Sequence, residues 1–183
     1  MSALRRQKYR QWFLSADVDG DNVITRRDTI HFADRFITLR GVRGDSPEAQ
    51  RLRDLMEEFW VKALAPFDHN GDGQVDADEV TTGFERALAD SESYSKQIEP
   101  IAEQYFQLTD GDGDGKIDLK EFQQIFMAVG RGSDADCAEV FRRLDTDGSG
   151  ALSRQEFHRT VEDFFFSDDP NAPGNQLFGP LGS

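Results

Sequence analysis

A single cysteine, Cys137, stands among 183 residues, so no intramolecular disulfide can form. It lies eight residues before Asp145 and reads as a buried packing thiol, with a redox sensor as the alternative. The histidines His31, His69 and His158 are isolated from one another, and none belongs to a cluster with zinc spacing. Methionine is scarce too, at three residues, so an adaptable Met-rich surface is excluded. No apolar run approaches the ~20 residues of a membrane span. The stretch Leu4-Arg5-Arg6-Gln7-Lys8 is polar where a secretory signal would be apolar. The expected setting is therefore reducing and cytoplasmic, with no membrane partner. Basic residues are in the minority, 21 Lys+Arg against 35 Asp+Glu, and no basic stripe is long enough to neutralise several phosphates. Nucleic acid is not an expected partner. Arg5, Arg6, Lys8 and Arg10 read as a solvated helix face, with docking to an acidic partner as the alternative. Ser-His-Asp groupings, glycine-rich phosphate loops and carboxylate pairs outside the acidic segments are all missing, which argues against an enzyme.

What the chain does have is phenylalanine, 15 residues of it, enough for a large aromatic core in a globular protein. It also has acid in one place. Residues 1–65 carry 12 basic and 10 acidic side chains, and residues 66–183 carry 9 and 25. Clustered carboxylates repel one another, so the clustering needs a cause. Four twelve-residue segments supply it: Asp17 to Asp28, Asp68 to Glu79, Asp110 to Glu121 and Asp145 to Glu156. Together they hold 17 of the 35 acids. In each, oxygen-bearing side chains occupy positions 1, 3, 5, 9 and 12, and an aliphatic residue (Ile24, Val75, Ile117, Leu152) occupies position 8.

A hard cation explains that spacing. Ca²⁺ takes six to eight oxygens at about 2.3–2.6 Å, and a short loop surrounds an ion only if alternate side chains point inward. Position 6 must turn sharply, which Gly73, Gly115 and Gly150 do at no steric cost. Position 7 offers its carbonyl, and a Glu at position 12 can offer both oxygens. The candidate ligands of the first loop are Asp17, Asp19, Asp21, Val23, Thr25 and Asp28. Those of the second are Asp68, Asn70, Asp72, Gln74, Asp76 and Glu79. The third has Asp110, Asp112, Asp114, Lys116, Asp118 and Glu121, and the fourth Asp145, Asp147, Ser149, Ala151 and Glu156. Three to four Ca²⁺ ions are expected. The first loop departs twice from the pattern, with Asn22 at position 6 and the shorter Asp28 at position 12. Asn tolerates the left-handed turn. The lost methylene weakens bidentate reach, so this loop is expected to bind Ca²⁺ weakly or to prefer Mg²⁺.

Apolar residues at helical spacing flank every loop, as in Tyr9, Trp12, Phe13 before the first and Phe122, Ile125, Phe126, Val129 after the third. Ser46-Pro47-Glu48 and Ser133-Asp134 mark helix starts, and Gly41 to Gly44 and Gly130 to Gly132 mark breaks. The expected fold is all-α: four helix-loop-helix units in two pairs, a compact single globule with short two-strand bridges between paired loops. The division expected is 1–90 for the first pair, 91–166 for the second and 167–183 for a tail packing on the globule. Asp90 to Ser95 reads as the joint.

With these residues stated, the chain resembles the EF-hand proteins, and most closely the sarcoplasmic calcium-binding protein group with its calerythrin-like members. The four loops carry the general likeness. The 39 residues between Asp28 and Asp68 and the tail from Phe164 to Leu181 carry the narrower one. The long gap implies a long helix near residues 46–67. The resemblance implies a single globule, a cytosolic place and calcium buffering or signalling. The alternatives are a Ca²⁺ sensor that grips an unknown protein target and, less favoured, a binder of an apolar chromophore. Leu177, Phe178 and Leu181 lie among Pro170, Pro173, Pro180, Gly174 and Gly179. Such a tail cannot continue a helix but can lay apolar side chains into a cleft, so that a foreign target would have to compete. A monomer is expected.

Overall fold

A computed structural model of the chain describes residues 1–89, 91–129 and 133–179. Helices α1 (Ala3–Ala16) and α2 (Arg26–Leu39) flank the first loop. The second lies between α3 (Pro47–Phe59), with its irregular continuation, and α4 (Ala77–Ala87). After the short α5 (Ser91–Gln97), α6 (Glu99–Thr109) and α7 (Leu119–Val129) flank the third loop, and α8 (Asp134–Leu144) and α9 (Arg154–Phe166) the fourth. The helices start where short polar side chains satisfy free backbone N–H groups. Ser2 Oγ accepts from Arg5 N at 3.1 Å, and Ser46 Oγ from Ala49 N at 3.1 Å with Pro47 at the first helical position.

The loops join in twos through their eighth residues. Strand β1 (Lys116–Asp118) pairs antiparallel with β2 (Ala151–Ser153), placing Ile117 opposite Leu152. Ile24 and Val75 form the matching bridge in the other pair, with N–H···O distances of 2.8 and 2.9 Å. All four of these aliphatic side chains are completely buried. The two pairs then share one core, so the molecule is a single globule. Phe84 of α4 is its centre: its ring lies 5.1 Å from Tyr9, 4.9 Å from Trp12, 5.5 Å from Phe67 and 5.0 Å from Phe165. Each such aromatic pair adds about 0.5–1.5 kcal/mol beyond area burial, and these contacts tie the first, second and fourth units together. A second cluster packs Phe32, Phe36 and Ile37 of α2 against Leu52 and Met56 of α3, Leu108 of α6 and Ala128 of α7.

Two sequence expectations need revision. The helix expected over 46–67 is regular only to Phe59. It continues as a π turn (Trp60–Leu64) and a 3₁₀ turn (Ala65–Phe67). Pro66 has no N–H to give an earlier carbonyl, and the Ala65 N–H bonds back to Trp60 O instead. The segment read as the joint overlaps the short helix α5, which starts at Ser91; Asp90 lies outside the described residues, as do Gly130 to Gly132 and Leu181. A Glu92–Lys96 pair one turn apart and the Tyr94 ring 5.0 Å from Phe166 hold that polar segment helical.

The basic face of α1 is not solvated throughout. Lys8 is completely buried, and its Nζ donates to Asp163 O at 3.0 Å, Ser167 O at 2.7 Å and Asn175 Oδ1 at 3.3 Å. These acceptors lie at the C-terminal end of α9 and in the chain beyond it. A helix end leaves carbonyls without partners and carries negative dipole charge, so a lysine is a fitting cap. Burial nonetheless lowers the Lys8 pKa to about 8 against the pull of nearby Asp168. Arg5 pairs with Asp168 at 2.9 Å, while Arg6 and Arg10 remain exposed.

Past α9 the chain turns back along the globule. A 3₁₀ turn (Pro173–Gln176) runs so close to α9 that a Cβ on Gly174 would collide with the Thr160 carbonyl. Gln11 Nε2 donates to Phe178 O at 3.0 Å, and the Phe178 ring lies 4.8 Å from Phe164. Leu177 and Phe178 line one side of a largely apolar cavity of about 390 Å³, whose other walls include Trp12, Phe84, Tyr105, Phe126 and Phe165.

Candidate metal sites

Each loop is organised by its own carboxylates. The position-1 Asp turns both oxygens toward backbone N–H groups of the same loop. Asp110 Oδ1 accepts from Gly113 N at 2.8 Å and Oδ2 from Gly115 N at 3.0 Å. Asp68 and Asp145 repeat the pattern with Gly71 and Gly73, and with Ser149 and Gly150. Asp17 does the same with Gly20 at 2.8 Å and Asn22 at 3.1 Å. Residue 6 takes a left-handed backbone in all four loops, with φ of 82°, 86° and 86° at Gly73, Gly115 and Gly150 and 71° at Asn22. A non-glycine residue there carries a strain cost, and Asn is among those that tolerate it best.

Position 5 closes the next turn. Asp21, Asp72 and Asp114 accept from the N–H of Val23, Gln74 and Lys116 at 3.0, 2.9 and 2.8 Å. In the fourth loop Ser149 Oγ accepts from Ala151 N at 3.4 Å and donates to Ala151 O at 2.9 Å. At position 3, Asp19, Asn70, Asp112 and Asp147 each accept from the N–H two residues on.

Position 12 has two tasks at once. It is the third residue of the outgoing helix, and position 9 is that helix's N-cap. Thr25 with Asp28, Asp76 with Glu79, and Ser153 with Glu156 form reciprocal capping boxes. Asp118 and Glu121 exchange the same pair of bonds, at 2.8 and 3.0 Å. The other oxygen of each position-12 carboxylate reaches back across the loop to the N–H of position 2. Glu79, Glu121 and Glu156 accept there from His69 at 3.0 Å, Gly111 at 2.7 Å and Thr146 at 2.9 Å. Asp28, a methylene shorter, still takes the Val18 N–H at 3.0 Å and is almost completely buried. For Glu156, burial opposes ionisation, but bonds from Ser153 and Thr146 outweigh it and hold the carboxyl down at about 2.

The result is convergence of oxygens. Asp17, Asp19 and Asp28 bring one carboxylate oxygen each to within 4.8 Å of one another; so do Asp110, Asp112 and Glu121, and Asp145, Asp147 and Glu156. In the second loop position 3 is the amide of Asn70, so one carboxylate fewer faces the centre. These donor sets are oxygen only, which suits a hard divalent cation and not a soft metal. The position-7 residues stand at the bridges: Lys116 and Ala151 open β1 and β2, while Val23 and Gln74 precede Ile24 and Val75. Two residues outside the sequence-based candidates join the fourth loop. Ser153 holds its position 9, which the repeat itself indicates. Thr146 Oγ1 donates to Glu156 Oε1 at 2.9 Å, which nothing in the repeat signals.

The family model of the EF-hand domain pair matches residues 99–162, and that of the EF hand residues 62–84. Clytin of Clytia gregaria is 30% identical over 180 residues, covering 96% of this chain and 87% of clytin. The chain belongs to the EF-hand calcium-binding proteins, in the sarcoplasmic calcium-binding protein and calerythrin group. Calerythrin of Saccharopolyspora erythraea is 25% identical, with 90% of this EF-hand chain and 94% of calerythrin covered. The luciferin-binding protein of Renilla reniformis is 28% identical, with 97% and 94% covered. The solved structure of the photoprotein clytin superposes with a TM-score of 0.70 at 26% identity, covering 98% of this chain and 95% of that one. Among the described residues no helix is long and apolar enough to cross a membrane.

Proposed function

We propose that this EF-hand protein is a cytoplasmic calcium buffer or signal modulator holding three to four Ca²⁺ ions. The ligands are the side chains at positions 1, 3, 5, 9 and 12 and the carbonyl at position 7 of each loop, as named above. The first loop, closed by the short Asp28, is the one suited to Mg²⁺. The chain works as two EF-hand pairs, 1–90 and 91–166, with the tail 167–183 closing the globule.

The observation that carries this over a sensor is the tail. A sensor opens a groove on binding Ca²⁺ and offers it to a target helix. Here Leu177 and Phe178 line the apolar centre from within, and Lys8, Gln11 and Phe164 fasten the segment. A foreign helix would first have to displace it. Removing the tail after Asp169 should therefore raise ANS fluorescence of the calcium-loaded protein. No rise would overturn the buffer reading.

The cavity favours a second reading, binding of an apolar small molecule, in keeping with the name of the luciferin-binding relative. Its walls are mainly hydrocarbon and aromatic, with Trp12 and Tyr105 but none of the three histidines. This reading predicts saturable one-to-one ANS binding by the intact protein, abolished by Ala102→Trp, which fills the space.

A further inference from the structure

EF-hand loops communicate within a pair through the bridge at position 8. The structure holds a second connection, between the pairs. Helix α2 starts beside Asp28, the last candidate ligand of the first loop, and ends at Arg40, whose N–H bonds to Phe36 O at 3.0 Å. Its 14 residues span about 20 Å at 1.5 Å per residue. From that far end the Arg40 side chain, largely buried, passes over the Phe36 ring with Cζ 5.6 Å from the centroid. Nη1 donates to Leu108 O at 2.9 Å. Leu108 is in the last turn of α6, two residues before Asp110, the first candidate ligand of the third loop.

The rest of the guanidinium lies against the third loop, with Nη2 also 3.7 Å from Glu48 Oε1 of α3. A Cβ on Gly111 would collide with Arg40 Nη2 and sit 3.0 Å from its Cζ. The backbone there is not left-handed, so conformation does not demand glycine; the space taken by Arg40 does. Residue 111 is also the loop position whose N–H donates to Glu121 Oε1, at 2.7 Å. The remaining loops have Val18, His69 and Thr146 at this position. Beneath the guanidinium, α2 is packed to α6 and α7 through Phe32, Phe36, Leu108 and Ala128. A shift of α2 is passed to α6 and α7 through these direct contacts.

We propose that Arg40 is the positioning residue that couples the first calcium site to the third. The ion in the first loop draws Asp28 and the start of α2 toward it. The helix carries that movement to its C-terminal end. Arg40 then sets the Leu108 carbonyl and the Gly111 N–H, and through them the placement of Glu121. The connection runs both ways, as linkage requires. It rests on the reading that the third loop holds Ca²⁺ and that the first loop, though better suited to Mg²⁺, fills with Ca²⁺ when Mg²⁺ is absent.

The test is a thermodynamic cycle on the full chain. Calcium is titrated in Mg²⁺-free buffer while the amide signals of Gly115 and Asn22 are followed by NMR, one for each loop. Asp28→Asn, which disables the first site, should lower third-site affinity at least fivefold when Arg40 is present. With Arg40→Gln as background the same change should move it less than twofold. Gly111→Ala, which pushes the guanidinium away, should mimic Arg40→Gln and add nothing to it, so the result does not depend on one variant folding. Equal shifts in both backgrounds, or no shift in either, overturn the proposal while leaving the calcium sites intact. A Gly115 or Asn22 signal that ignores calcium in the unsubstituted protein overturns the calcium reading and the coupling together.

Discussion

Replacing Lys8 by Met keeps the length and bulk of the side chain and removes only the ammonium. Three acceptors then lose a donor: Asp163 O, Ser167 O and Asn175 Oδ1, at 3.0, 2.7 and 3.3 Å in the native protein. Asp163 O keeps the Ser167 N–H at 3.0 Å, so its loss is partial. A hydrogen bond from a charged donor contributes about 1.5–3 kcal/mol, and a buried acceptor left alone costs about 1–3 kcal/mol. Loss of the favourable charge at the end of α9 adds about 0.3–1 kcal/mol. Against this, the native ammonium is desolvated, and its removal returns part of the total. A net destabilisation of about 2–4 kcal/mol follows, which for a chain of this size lowers Tm by about 5–15 °C at roughly 2–4 °C per kcal/mol. Thermal melting of the calcium-loaded protein measures it, with limited proteolysis reporting where the loss falls. Cleavage should appear first within residues 167–179, since Asn175 and the α9 end are what Lys8 holds. A Lys8→Met protein that melts within 1 °C of the parent at about the precision of the method, with its tail still protected, would refute the reasoning.

The remaining predictions concern pH, reactivity and the first loop. Folded Lys8 loses its proton near pH 8 and the unfolded chain keeps it to about 10.5, so between those values unfolding takes up one proton and this group makes stability rise with pH by about 1.4 kcal/mol per unit. Below pH 8 both states are protonated and the slope vanishes; Lys8→Met should lack the slope in urea melts between pH 8 and 10. Burial, with Asp134 nearby, pushes the Cys137 thiol up to about 11, so at pH 8 the thiolate fraction is about 10⁻³ and labelling by a disulfide reagent should be more than a hundredfold slower than for a free thiol. Stripping calcium leaves the clustered loop carboxylates to repel one another, which should loosen the fold and speed labelling; equal rates would contradict that. Asp28→Glu restores the longer side chain and should raise first-site Ca²⁺ affinity about tenfold, or ~1.4 kcal/mol; calorimetry showing no gain would contradict the assignment of that site as weak or Mg²⁺-preferring.

The loops were legible in the sequence because an ion imposes its spacing locally. Twelve residues suffice to bring the carboxylates of positions 1, 3 and 12 together in the first, third and fourth loops, and Asn22 could be placed in a left-handed turn from its position alone. The bridges were legible for the same reason, since Ile24, Val75, Ile117 and Leu152 recur at one register. Helix starts at Ser46 and Ser133 followed from short-range capping. What escaped depends on distant neighbours. Lys8 reads as a surface cation until the end of α9, more than 150 residues away, is set against it. Gly111 looks like another turn glycine until Arg40 is seen to occupy its space. The helix at Ser91–Gln97 was not signalled because its run is polar and its anchor, Phe166 against Tyr94, comes from another unit. Pro66 was in plain view, but how a chain re-pairs its carbonyls around a proline depends on what packs beside it.

The most direct test of the account is calorimetric titration of the metal-free protein with Ca²⁺, with and without millimolar Mg²⁺ and with ANS fluorescence recorded alongside. Tight filling of three or four sites is expected, with Mg²⁺ competition confined to one of them and an ANS signal that falls as the ions bind and the tail seats. Micromolar filling with a rising ANS signal would contradict it and mark a protein that opens toward a target.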